Sequence, residues 1–332
     1  MHGNAAERAP EVRQYLLGSG RVPGDLSVEF LAAGEYNENF LVRYSENRSA
    51  VFRINYGSQL GLENQIEYEF NVLRAVEPSG VTPAPLFCDP SPAGLPGGAL
   101  LMEYIPGVPL EYTADLLKAS AVFARVHTVA VDNSLIIQDN PVLDIAGECR
   151  GLLDRYPDHP MNMERRILER YHEYIMRIGE DRARDFKNES MCIVNTEVNS
   201  NNFIVRENRA WLVDWEKAVI SYRYQDLGHF LVPTTTLWKT DSIVSGEDRL
   251  NFLGRYRDLV GLDIPLEEIH EKTGLLEQTI LLRGLSWCYM AWYEYTRTDR
   301  GLRNMDTFRK IKQYLGDIEW FLGRDRNKSG GG

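Results

Sequence analysis

The residues best able to do chemistry together lie in one stretch, Ile193 to Val205, IVNTEVNSNNFIV, where two apolar segments flank a polar loop carrying Glu197 and Asn202. A few residues on, Trp211 to Trp215, WLVDW, sets another carboxylate, Asp214, at the end of a further apolar segment. Loops held by flanking strands can converge. One carboxylate could then act on a hydroxyl while an amide oxygen and a second carboxylate hold a hard cation. Phosphoryl transfer needs that inventory: a carboxylate to orient or deprotonate the attacking oxygen, and oxygen ligands that keep magnesium (Mg2+) on the β and γ phosphates of a nucleotide. Taken singly, Glu197 reads as a solvated loop carboxylate. Its company favours a site.

The elements that must position these residues follow from periodicity. Ser27 to Phe30, Phe40 to Tyr44 and Ala50 to Ile54 are short β-prone segments separated by Gly, Asn and Ser, the pattern of an antiparallel meander. From Glu63 to Val76 the spacing turns helical, with Ile66, Phe70 and Leu73 on one face, and Pro78 and Gly80 end it. A turn-rich stretch, Pro83 to Gly98, leads to the apolar strand Ala99 to Tyr104, which breaks at Pro106, Gly107 and Pro109. Beyond that break the chain reads as mostly helical, most clearly over Ala114 to Val129, Glu164 to Ile178 and Leu275 to Tyr295, with short strands at Cys192 to Val194, Phe203 to Val205 and Ala210 to Val213. The expected division is a nucleotide-binding lobe over 1–104, a helical lobe with the catalytic loop and acceptor site over 105–323, and a disordered polar tail over 324–332 ending in three glycines.

Composition narrows the class. The 332 residues are 43% hydrophobic with a net charge of -11, which disfavours nucleic acid and anionic membranes as partners. Cys88, Cys149, Cys192 and Cys288 show neither zinc-site spacing nor a disulfide framework and read as reduced thiols. No apolar run has the character of a signal peptide or a membrane span, so a cytoplasmic protein is expected.

Several segments resemble, in order, those of aminoglycoside phosphotransferases, choline kinases and related small-molecule kinases. IVNTEVNSNNFIV is similar to their catalytic loop, His-Gly-Asp, four residues, Asn, and WLVDW to their following Ile-Asp-Phe or Ile-Asp-Trp strand. By that resemblance Glu197 stands at the catalytic Asp, while Asn202 and Asp214 stand at the metal ligands. Asn195 replaces the usual His, and Thr196 the frequent Gly. LAAGEYNENFLVRY, with Gly34 and Asn37, resembles the glycine-containing nucleotide loop. Arg53 in AVFRIN holds the place of the phosphate-binding lysine, with Glu69 as its implied ion-pair partner and Glu63 and Glu67 as alternatives. LLMEYIPG looks like the hinge strand, whose Glu103, Tyr104 and Ile105 would meet a purine edge. SAVFARVHTV contributes His127, and YQDLGHF contributes Asp226 to brace the catalytic loop.

The resemblance implies an α+β, protein kinase-like two-lobed fold, with a small antiparallel-β N-terminal lobe and a larger mainly helical C-terminal lobe. It also implies a nucleoside triphosphate (ATP or GTP) as phosphoryl donor, magnesium, and a small-molecule hydroxyl acceptor bearing an amine or a sugar. A nucleotide-binding pseudokinase and a nucleotidyl transferase share most of these residues. Trp287, Tyr289, Trp292 and Tyr293 could form a cation-binding wall for an amine substrate, although core packing of their helix explains them too.

Overall fold

In the computed structural model the described residues are 5–22, 25–34, 36–45, 48–58, 60–131, 134–297 and 305–328. After helix α1 (Ala9–Ser19), strands β1 (Leu26–Ala33), β2 (Asn37–Tyr44) and β3 (Arg48–Asn55) form a meander, and helix α2 (Gln65–Val76) follows. Two more strands, β4 (Pro85–Asp89) and β5 (Gly98–Glu103), complete an antiparallel sheet of order β1-β2-β3-β5-β4. The turn-rich reading of Pro83 to Gly98 thus gains a strand. β4 lies at the sheet edge, where a proline at the first position costs no ladder hydrogen bond.

The two-residue period of the strands decides which side chains reach the cleft. Ala50, Phe52 and Ile54 of β3 pack with Ala99 and Leu101 of β5, Phe40 and Val42 of β2, and Val12 and Leu16 of α1 in one core. The opposite face of β5, Leu100 and Met102, joins Ile66, Val72 and Leu73 of α2 in a second core that runs on into the helical part. On β3 the residue that alternates onto this second face beside Val51 is Arg53.

The chain then adds β6 (Val108–Pro109) and helices α3 (Tyr112–Val126), α4 (Pro141–Asp154) and α5 (Asn162–Arg182). The functional loops follow on short strands: β7 (Cys192–Val194), β8 (Phe203–Arg206), β9 (Arg209–Leu212) and β10 (Val219–Ser221). β7 pairs with β10, and β8 lies between β6 and β9. Helices α6 (Tyr224–Leu231), α7 (Pro233–Lys239), α8 (Gly246–Val260), α9 (Leu266–Thr296), α10 (Met305–Gly316) and α11 (Ile318–Lys328) close the molecule. α9 begins well before Leu275, because the polar turns from Leu266 onward still bury Ile269 and Thr273. α11 carries helical backbone from Arg324 to Lys328, into the segment expected as a tail, and residues 329–332 lie outside the described residues. All four cysteines are unpaired thiols. Among the described residues no helix is long and apolar enough to cross a membrane.

Candidate active site

Arg53 is the junction between the two halves of the cleft. Its Nη1 donates to Glu69 Oε1 of α2 at 2.5 Å and to Asp214 Oδ1 at 3.1 Å, and its Nε donates to Asn39 Oδ1 of β2 at 2.9 Å. Among the three carboxylates of that stretch, Glu69 alone is buried, and the helical phase turns it toward β3. Burial works against the Arg53 charge, but the carboxylates of Glu69, Asp214 and Glu216 outweigh it and leave its pKa raised. Burial also raises the Glu69 carboxyl, an effect that Arg53 opposes.

The turn between β1 and β2 is tied across the cleft as well. The Gly34 N–H donates to the Asn37 carbonyl at 2.8 Å, and Asn37 Nδ2 donates to Glu216 Oε2 at 2.6 Å. Asn55 Nδ2 reaches Asn37 Oδ1 at 2.8 Å, and Gln65 Nε2 reaches the Glu216 carbonyl at 2.7 Å. Burial first, then the negative charges of Asp214 and Glu69, push the Glu216 carboxyl up to about 7. At the expected hinge, Glu103 ends β5, and its N–H donates to the Ala84 carbonyl at 2.8 Å, so that donor serves the protein. Tyr104 and Ile105 follow it outside any strand.

The loop after β7 is held mainly by backbone contacts. Asp226 of α6 accepts from the Asn195 N–H at 2.9 Å and the Thr196 N–H at 2.8 Å, and its buried partner His127 bonds Tyr256 on its other side at 2.8 Å. Asn195 donates from Nδ2 to the Asp214 carbonyl at 2.8 Å and accepts from the Glu197 N–H at 3.2 Å, so it joins the two loops. Asn202 Nδ2 donates to the Glu197 carbonyl at 2.9 Å, and Val213 N–H donates to the Asn202 carbonyl at 2.8 Å. Glu197, Asn202 and Asp214 are therefore linked through one short hydrogen-bonded path.

Two of these residues sit in the left-handed region, Thr196 at φ 70 and Asp214 at φ 67. Such a conformation costs a residue with a Cβ on the order of 1–2 kcal/mol. Thr196 is anchored by its hydroxyl on the Lys217 carbonyl at 3.0 Å, and its own carbonyl accepts from Arg283 Nη2 at 2.7 Å and from His229 Nδ1.

The Glu197 carboxylate accepts from Lys217, whose Nζ lies 2.5 Å from Oε1. It also faces a cavity of about 150 Å³ lined in addition by His229, Thr235, Trp238, Arg283 and Trp287. Residues 280, 283, 284 and 287 recur at helical spacing, so one face of α9 forms a wall of it. Gly228 lets α6 approach that helix: a Cβ there would lie 2.9 Å from the Glu277 backbone nitrogen. The aromatic run on α9 is divided. Trp287 lies edge-on to Trp238 at 5.8 Å in this cavity, while Tyr289 stacks on His159 and Tyr293 on Tyr156.

Residues 27–259 match the phosphotransferase enzyme family. The chain belongs to that family. Phosphoryl transfer to a hydroxyl acceptor is its class of reaction. Solved structures with the same fold include a choline/ethanolamine kinase family protein from Mesorhizobium loti, 16% identical over 94% of each chain with a TM-score of 0.63. A choline kinase from Streptococcus pneumoniae is 15% identical over 96% of this chain and 99% of its own, with a TM-score of 0.65. A thermostable mutant of an aminoglycoside phosphotransferase, in ternary complex with ADP and hygromycin B, is 14% identical over 97% and 99%, with a TM-score of 0.63. At such identities the likeness is one of fold. No curated protein matches by sequence.

Within this phosphotransferase the donor set suits magnesium. Asn202 spends its amide N–H on the Glu197 carbonyl, which leaves the amide oxygen as the atom that could coordinate, and Asp214 commits Oδ1 to Arg53 while its side chain remains partly exposed. Two oxygen donors suffice for an ion that completes its shell with phosphate oxygens and water. Among the described residues no group of three or more His, Cys, Asp or Glu could hold a metal alone. Sequence reasoning missed Glu216, Lys217, His229 and Arg283. Glu216 and Lys217 directly follow WLVDW, and His229 sits in YQDLGHF, so their nearness to motif residues was the available signal.

Proposed function

We propose that this phosphotransferase is a magnesium-dependent small-molecule kinase that moves the γ-phosphoryl group of ATP or GTP to a hydroxyl of an amine- or sugar-bearing metabolite in the cytoplasm. The observation that carries the reading is the buried Arg53, which meets Glu69 from one lobe and Asp214 from the other. In this reading Arg53, its Nε and Nη1 held by Asn39, Glu69 and Asp214, turns Nη2 to the phosphates and differs from lysine in shape and not in charge. Asn202 and Asp214 hold magnesium, which when bound neutralises phosphate charge. Glu197 orients the acceptor hydroxyl and takes its proton, Gly34 and Asn37 shape the turn over the phosphates, and residues 103–105 border the base. The lobes divide the work near residue 104. The acceptor lies in the cavity beside Glu197, with Trp238 and Trp287 as its apolar wall.

The test is thermal stabilisation by ATP and by GTP, with and without magnesium, for the parent and for Asp214→Ala. Magnesium-dependent stabilisation that disappears in the variant is expected; no stabilisation of the parent by either nucleotide would sink the reading. A second reading, a nucleotide-binding pseudokinase, is favoured by the close Glu197–Lys217 pair, which occupies the carboxylate that should serve the acceptor. If neither the parent nor Glu197→Asp turns over any acceptor while both bind nucleotide, the second reading stands.

A further inference from the structure

Among the described residues His229 is the one imidazole on the cavity that Glu197 faces, and its protonation is fixed by its neighbours. Its Nδ1 lies in hydrogen-bond contact with the Thr196 carbonyl, which can only accept, so Nδ1 carries the proton. Arg283 Nη2 bonds the same carbonyl at 2.7 Å and stands 3.2 Å from Nδ1. A second ring proton, on Nε2, would give the ring a positive charge beside that guanidinium. Burial first, then Arg283, hold the imidazole well below its usual pKa, and Lys217 adds to the effect. The ring is therefore neutral, and its lone pair is on Nε2.

Glu197 is the only other acceptor of comparable strength that the kinase reading uses there, and Lys217 already engages it. We infer that Nε2 of His229 is a second hydrogen-bond acceptor for the attacking hydroxyl, so that the hydroxyl is aimed by a neutral ring while Glu197 receives its proton. The inference rests on the kinase reading. During transfer the hydroxyl oxygen bonds to the γ-phosphorus as the bond to the bridging oxygen breaks, releasing the nucleoside diphosphate. The hydroxyl proton passes to the Glu197 carboxylate and then to water, and His229 keeps its single proton throughout. A loose phosphoryl-transfer transition state asks for aim more than for a strong base, which a neutral, doubly anchored imidazole can supply. The demand for a fixed donor also selects the acceptor: an OH reaching between Glu197 and Trp238 is aimed, whereas an ether oxygen at that point is not.

Two substitutions separate aiming from scaffolding. His229→Asn places an amide where Nδ1 lies, so it can still donate to the Thr196 carbonyl but offers nothing at Nε2. His229→Gln carries its amide oxygen toward the Nε2 position. Hydrolysis of magnesium-ATP, with water as the acceptor, is the readout, beside thermal stabilisation by the same nucleotide. We expect hydrolysis to fall about 10- to 100-fold in His229→Asn and to stay within about threefold in His229→Gln, with stabilisation unchanged in both. Nitrogen-15 NMR of the parent should show His229 neutral with Nδ1 protonated. Equal, measurable hydrolysis by His229→Asn and parent, a greater loss in His229→Gln, or a protonated Nε2 would each overturn the inference. A parent that nucleotide fails to stabilise, or that binds nucleotide yet hydrolyses none, would overturn the kinase reading instead.

Discussion

On the side of the cleft proposed for the nucleotide Arg53, Glu69 and Glu216 are buried and charged groups answer one another directly, whereas on the side proposed for the acceptor Glu197 and Lys217 meet as a partly exposed pair and the remaining contacts run to backbone carbonyls and aromatic rings. The contrast follows from what each side must hold. A polyphosphate with its cation is a dense charge that repays a preorganised, water-poor network. A neutral or singly charged acceptor needs shape and one directed hydrogen bond. The difference also shows where substitution is tolerated. A buried charge network breaks as a unit when a charge is removed, and Arg53 there keeps the charge of the lysine whose place it holds, while a loop held through its backbone accepts wider changes, as Asn195, Thr196 and Glu197 show.

The contrast is broken most severely at Asp214. Asp214→Ala should remove magnesium-dependent nucleotide stabilisation and lower phosphoryl transfer by about 10³-fold or more, measured as nucleoside diphosphate release. Transfer persisting within tenfold would mean that the cation is held elsewhere. Next in size is the buried pair. Glu69→Met leaves the buried Arg53 with the partly exposed Asp214 as its one ion-pair partner beside the neutral Asn39, and should cost about 3–5 kcal/mol in chemical unfolding. Changing Arg53 and Glu69 together to Met should recover most of that stability while nucleotide binding stays lost. A single-variant cost below about 1 kcal/mol would show the network to be looser than its distances indicate.

How much of this could be read from sequence differs between the same two regions. Strand alternation was enough to turn Arg53 away from Phe52 and Ile54, and the order of motifs brought Asn202 and Asp214 to adjacent loops, because both are local properties of short strands. What could not be read were partnerships across long separations. Asn37 meets Glu216 from 179 positions away, and Arg283 reaches the Thr196 carbonyl from 87. Neither has a periodic signature: the first exists only once β2 meets the segment after β9, the second once α9 has packed against the loop after β7. β4 escaped notice because prolines and glycines surround it. α9 extended beyond expectation because tertiary burial of Ile269 and Thr273 outweighed the polar composition of its first turns.

A pH titration sharpens the electrostatic half of the contrast. The Glu216 carboxyl sits near 7 in the folded chain against an ordinary value of 4.5, so the folded state holds its proton more tightly than the unfolded one. The stability it contributes is complete below 4.5 and is lost as pH rises through 7, a change of at most about 3 kcal/mol between pH 5 and 8 without metal or nucleotide. His127, His159 and His229, whose pKa values burial lowers, act in the opposite sense. The difference between the parent and Glu216→Gln isolates the effect: the variant should gain stability relative to the parent as pH rises from 5 to 8. Parallel curves would mean that Glu216 is ionised throughout.

The smallest expected effect tests the acceptor half. Glu197 and Lys217 form a single ion pair with both side chains partly in solvent, so Lys217→Ala should change stability by less than about 1 kcal/mol, well short of the Glu69 variant. Its consequence should appear in the chemistry. Releasing Glu197 from Lys217 frees a carboxylate that is one bond length further from the main chain than an aspartate would be, and nucleoside diphosphate release into water should shift by severalfold while nucleotide stabilisation stays put. Glu197→Asp withdraws the carboxylate from Lys217 by the same length and should change turnover in the same direction if the pair restrains Glu197. If Lys217→Ala destabilises the fold as much as Glu69→Met does, the acceptor side is wired as tightly as the nucleotide side, and its tolerance of Asn195, Thr196 and Glu197 needs another explanation.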